Sequence, residues 1–164
     1  MASIPSPRER RPVEPAAISV AHASMADLGL LAIRLIVGIV FIYHGSNKLF
    51  GPGGLSNFAD MLAGMGVPLP MVSAVLSACT EFFGGIALVL GIGTRIAVIP
   101  MVFNMLMAIL LVHRGAFDLR NNGMEYALTL GVVLLGLGFT GPGKLSLAGL
   151  LRHKSVRADM EAHE

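Results

Sequence analysis

Charge is scarce in this chain. Asp, Glu, Lys and Arg make up 13% of its 164 residues, about half of the roughly 25% carried by soluble domains. Together with 54% hydrophobic residues and a mean hydropathy of +0.74, that shortage points away from a soluble fold and toward the membrane. Cysteine is almost missing too. The single Cys79 excludes an intramolecular disulfide, a C-x-x-C redox pair and a thiolate metal cluster. No Ser/His/Asp set is legible, and "GPGG" and "GPGK" lack the spacing of a phosphate loop. No metal site is expected: six methionines (Met61, Met65, Met71, Met101, Met105, Met107) near His44 and His113 read as apolar filling. Residues 1–23 contain no apolar h-region, so no cleavable signal peptide is expected; their Pro, Arg and Ala content suits a disordered tail.

What the sequence does hold is apolar length. Residues 28–50, 71–92, 95–113 and 124–140 each approach the ~20 apolar residues an α-helix needs to cross the hydrocarbon core. Between the first two, Leu55, Phe58, Ala59, Leu62 and Met65 recur at helical spacing opposite a polar face, which predicts a short interfacial helix. The expected fold is all-α: a transmembrane four-helix bundle over residues 24–150, flanked by tails at 1–23 and 151–164. Local signals set its boundaries. Ser24 and Asp27 have capping-box spacing, Thr94 is the expected N-cap of the third span, and Asn122 is the expected cap of the fourth with Glu125 at its third position.

Four spans put both termini on one side. The two tails and the "GTR" turn carry eight Lys/Arg, whereas the opposite side carries Lys48, Arg114 and Arg120, and Arg34 lies within a span. The positive-inside bias therefore predicts cytoplasmic termini in a bacterial inner membrane, and the end-loaded basic residues are a topology signal, with no nucleic acid as partner.

Ionisable residues inside spans are costly and tend to face the bundle interior with a partner. "SACTEFFGGIALVLGIG" places Glu81 where everything around it is apolar or small. Arg34, Gly38, Phe41, Gly45 and Lys48 form one helical stripe; Ser73, Ser77, Glu81 and Gly84/Gly85 form a second; Glu125, Thr129, Val132 and Gly136 form a third. Small and polar stripes are what helix–helix contacts in membranes use, so all three are expected to face inward. Counting from the start of its span puts Glu81 near mid-membrane, with an Arg34–Glu81 ion pair as the expected partnership, joined by Asn104. His44, Lys48, His113 and Glu125 gather near the opposite mouth as a candidate pocket. Each also has a plain structural reading, Lys48 and His113 as cations at helix C-terminal ends.

"RLIVGIVFIYHGSNKLFG", "EFFGGIALVLGIGTR" and "NNGMEYALTLGVVLLGLGFTGPGKLSL", in that order, resemble the DoxX family of small four-span membrane proteins over about residues 28–150. The family's closing motif usually continues Ser-Leu-Asp, whereas this chain reads Ser146-Leu147-Ala148. The resemblance implies a subunit of an oxidoreductase system: some relatives belong to a thiosulfate:quinone oxidoreductase, others to a membrane complex with superoxide dismutase and a sulfurtransferase. With one Cys, this chain runs no dithiol cycle alone, so redox work requires a quinone, a bound cofactor or a partner protein. The expected function is a quinone-linked membrane subunit acting with redox partners, with self-association as a further expectation. The alternatives are a non-enzymatic membrane scaffold and a small proton-coupled transporter.

Overall fold

A computed structural model describes residues 24–151; the two expected tails lie outside the described residues, except for Leu151. Among these residues there is no strand, and the α-helices are α1 (Met25–Phe50), α2 (Gly54–Gly64), α3 (Pro70–Leu90), α4 (Thr94–Met107) and α5 (Glu125–Thr140), with residues 147–151 helical as well. α4 runs on into a π-helical segment, Ala108–Val112, and a 3₁₀ turn, Leu119–Asn121, precedes α5. α1, α3, and α4 with its π-helical extension are long and apolar enough to cross a membrane. α5 is apolar but has 16 residues, about 24 Å against a hydrocarbon core of about 30 Å. The protein is an all-α integral membrane bundle in a lipid environment.

The capping box at the start of α1 forms as its sequence predicts, with Ser24 Oγ accepting from Asp27 N and the Asp27 carboxylate accepting from Ser24 N. α1 and α3 pack antiparallel, and small residues let their backbones touch. A Cβ built on Gly45 would stand 2.5 Å from Phe82 N, and one on Gly38 would stand 2.8 Å from the Gly85 carbonyl oxygen. Because Gly38 faces Val89 and Gly45 faces Phe82, the register leaves α3 starting about seven residues, roughly 10 Å, beyond the end of α1. α2 covers that overhang: Ala59 and Leu62 are buried with Ala74 of α3. The apolar face of the expected interfacial helix is therefore turned onto the bundle.

α4 packs against α5 through Val98, Met101 and Met105 on one side and Ala127, Leu130, Leu134 and Leu137 on the other, with Val37, Phe41 and Leu88 completing the core. This corrects the third stripe. Thr129, Val132 and Gly136 are exposed and Glu125 is half-buried, so that face of α5 points outward. Thr129 can face lipid because its hydroxyl donates to the Glu125 carbonyl oxygen at 2.7 Å. Thr94 is not the cap of α4 either. Gly93, at φ 58°, takes that position, and Thr94 is a buried first-turn residue. Pro100 sits inside α4, where it lacks the N–H that would bond one turn back.

Candidate functional site

Glu81 is 4% exposed, and the register decides whom it meets. Since α3 overhangs α1, Glu81 lies level with the last turn of α1, well above Arg34. Lys48 Nζ reaches Glu81 Oε1 at 2.6 Å. Asn104 Nδ2, from α4, donates to the same oxygen at 2.9 Å, and Ser77 Oγ donates to Asn104 Oδ1 at 2.9 Å. This polar chain ties α1, α3 and α4 together. Lys48 does not snorkel away: its ammonium also lies 4.5 Å from the centroid of the Phe58 ring on α2, a cation–π contact.

The expected Arg34–Glu81 pair is thus wrong, while the expected Asn104 contact forms. Arg34, 1% exposed, binds at the other end of the bundle. Its guanidinium donates to the Pro142 carbonyl oxygen and, at 2.8 Å, to that of Leu145. Beside it, the Asp27 carboxylate accepts from Lys144 N at 3.0 Å. These bonds fasten the segment after α5 to α1 and leave Arg34 far from the chemistry of Glu81.

α1 and α5 barely touch, and a cleft of about 150 Å³ opens between them at the Glu81 end. Its polar lining is His44, Lys48, Glu81, His113 and Tyr126; the rest is apolar, including Phe41, Met105 and Leu130. The π-helical segment delivers His113 to this rim, where Nδ1 lies 2.9 Å from the Asn122 carbonyl oxygen. His44 and Tyr126 face each other with ring centroids 6.4 Å apart. Glu81 Oε2 is buried without a hydrogen-bond partner among the described residues, a situation that costs about 1–3 kcal/mol for a neutral group and more for a charged one.

Of the seven residues singled out from the sequence, His44, Lys48, Glu81 and His113 meet at the cleft, and Asn104 supports it from behind. Arg34 and Glu125 do not belong to it. Glu125 is the first residue of α5, not the third, and its carboxylate accepts from Leu119 N at 2.7 Å, fixing the turn before the helix. Asn122 takes a left-handed conformation at φ 55° as the end of that turn. Tyr126 was not foreseen. Its signal is a phenol in an otherwise apolar span, one of two tyrosines in the chain.

The DoxX family model matches residues 29–114. "Putative oxidoreductase CatD" of Bacillus subtilis (strain 168) is 31% identical over 121 residues, covering 74% of this chain and 85% of that protein. "Inner membrane protein YqjF" of Escherichia coli (strain K12) is 31% identical over 131 residues, 79% of this chain and 97% of that protein. "Uncharacterized membrane protein Rv3486" of Mycobacterium tuberculosis (strain ATCC 25618 / H37Rv) is 32% identical over 129 residues, 72% of this chain and 78% of that protein. No solved structure matches the chain at comparable stringency. The chain belongs to the DoxX family.

Proposed function

We propose that this DoxX-family protein is the membrane-embedded component of an oxidoreductase system and that its cleft takes the ring of a quinone from the bilayer. The observation that carries this reading is the composition of the cleft: an apolar wall with His44, Lys48, Glu81, His113 and Tyr126 converging on it. A cavity of about 150 Å³ is the size that accommodates a single six-membered ring. Its place between two helices of a membrane bundle gives a lipid-soluble ligand a lateral route, with the tail left in the acyl chains.

Quinone supplies two-electron chemistry coupled to protons. The chain's own residues would orient the ring and handle those protons. Lys48 and the two histidines can donate to ring oxygens, and Tyr126, which makes no hydrogen bond among the described residues, offers a further donor. Asn104 holds the Glu81 carboxylate in place from behind. Electrons come from a partner bearing a thiol or thiosulfate donor, because one cysteine cannot cycle through a disulfide alone. The name of the relative CatD supports an oxidoreductase role.

A photoreactive azidoquinone added to the protein in nanodiscs tests the reading. The label should map to peptides containing His44 and Tyr126 and be displaced by excess unlabelled quinone. Labelling spread evenly over the lipid-facing surface would refute it.

A further inference from the structure

The Glu81 carboxylate is asymmetric in its bonding. Oε1 receives both Lys48 and Asn104, whereas Oε2 is buried with no partner among the described residues. Lys48 is also incompletely used, since an ammonium has three donors and one goes to Glu81. A ligand atom meeting this pair therefore encounters a spare donor and, once the Glu81 carboxylate turns to expose Oε2, a spare acceptor. A carbonyl oxygen can accept from Lys48, but it sets its lone pairs against those of Glu81 Oε2. A hydroxyl accepts and donates at once, and so satisfies both.

We infer that the cleft recognises a ring hydroxyl through the Lys48–Glu81 pair, and so binds a hydroquinone in preference to the corresponding quinone. This rests on the quinone reading above but adds a redox-state preference which that reading does not require. Lys48 holds the ligand oxygen as acceptor, and a small rotation of the Glu81 carboxylate presents Oε2 to the hydroxyl proton. His44 and Tyr126, making no hydrogen bond among the described residues, remain for the second ring oxygen. No electron transfer is needed for the preference; it is a property of binding alone.

The test compares decylubiquinol with decylubiquinone, bound anaerobically to the full-length protein in nanodiscs. The reduced form should bind about tenfold more tightly. That raises the midpoint potential of the bound couple by about 30 mV relative to the couple free in empty nanodiscs. Glu81→Gln, which keeps the shape and removes the charged acceptor, should bring the two forms within about twofold. The wild-type ratio decides the matter even if that variant does not fold. Equal affinities, or tighter binding of the oxidised form, would overturn the inference while leaving the quinone site standing. Binding of neither form would overturn both.

Discussion

Lys48 Nζ and Glu81 Oε1 lie 2.6 Å apart, joining the last turn of α1 to the middle of α3. The Glu81 side chain is 5% exposed and that of Lys48 26%, so the pair is largely out of solvent. Breaking a buried pair by removing one partner typically costs 3–5 kcal/mol, because a charge is left uncompensated.

Lys48→Met and Glu81→Gln should each lower stability by about 3 kcal/mol, the lower end because Lys48 retains some solvent. The double variant should lose clearly less than the sum, a coupling measurable by unfolding in detergent. Arg34→Met combined with Glu81→Gln should instead be additive. Coupling between Arg34 and Glu81, or its absence between Lys48 and Glu81, would overturn the observed pairing.

Helix positions and the pocket-lining polar residues of α1 were legible because charges and glycines interrupt otherwise apolar runs. The face of α5 was not. That helix is apolar all round, and Thr129 and Thr140 satisfy their hydroxyls on the carbonyls of Glu125 and Gly136, so polarity carries no direction. The partner of Glu81 was hidden for another reason. Counting residues from Pro70 places it near mid-membrane, but α2 lets α3 begin beyond the end of α1, and the Gly45–Phe82 contact then sets Glu81 beside Lys48. Depth follows the register between helices, which no single span encodes.

The close approach of α1 and α3 gives a second prediction. Gly45→Ala places a Cβ within 2.5 Å of Phe82 N, and Gly38→Ala places one 2.8 Å from the Gly85 carbonyl oxygen. In both cases the obstacle is backbone that cannot swing aside, so each should cost about 1–3 kcal/mol by overpacking. Gly136→Ala has nothing within 4 Å of the added atom and should be neutral or slightly stabilising. Equal melting temperatures for all three variants would contradict the helix contact.

Arg34 provides a third. Its two carbonyl acceptors, on Pro142 and Leu145, belong to the segment after α5, and hydrogen bonds from a charged donor contribute about 1.5–3 kcal/mol each. Arg34→Lys should fail to restore the loss caused by Arg34→Met, because a single ammonium lacks the planar fork that spans two acceptors. Hydrogen exchange should show faster opening confined to residues 142–146 and the first turns of α1. Exchange that spreads to the Glu81 end would mean that Arg34 supports the cleft after all.

The last prediction concerns orientation. The Asp27–Lys144 and Arg34–Leu145 contacts bring the start of α1 and the segment after α5 to one end of the bundle. The "GTR" turn joins that end through Arg95, whose guanidinium lies 3.5 Å from the Phe139 carbonyl oxygen. Of the eleven Lys/Arg outside the span interiors, Arg95 and Lys144 lie at this end and six more fall in the sequence before residue 24 and after residue 151, while Lys48, at the other end, is paired with Glu81. The positive-inside bias then predicts that this end faces the cytoplasm and the mouth of the cleft the outer side. A reporter that works only after export should be active when inserted within residues 114–123 and silent when fused after Glu164. The cleft should be labelled accordingly: with Cys79 replaced by Ala, a cysteine at Arg114 should react with a membrane-impermeant maleimide in intact spheroplasts, and one at Arg95 should not. The reverse pattern would invert the protein and put the Lys48–Glu81 cleft on the cytoplasmic side.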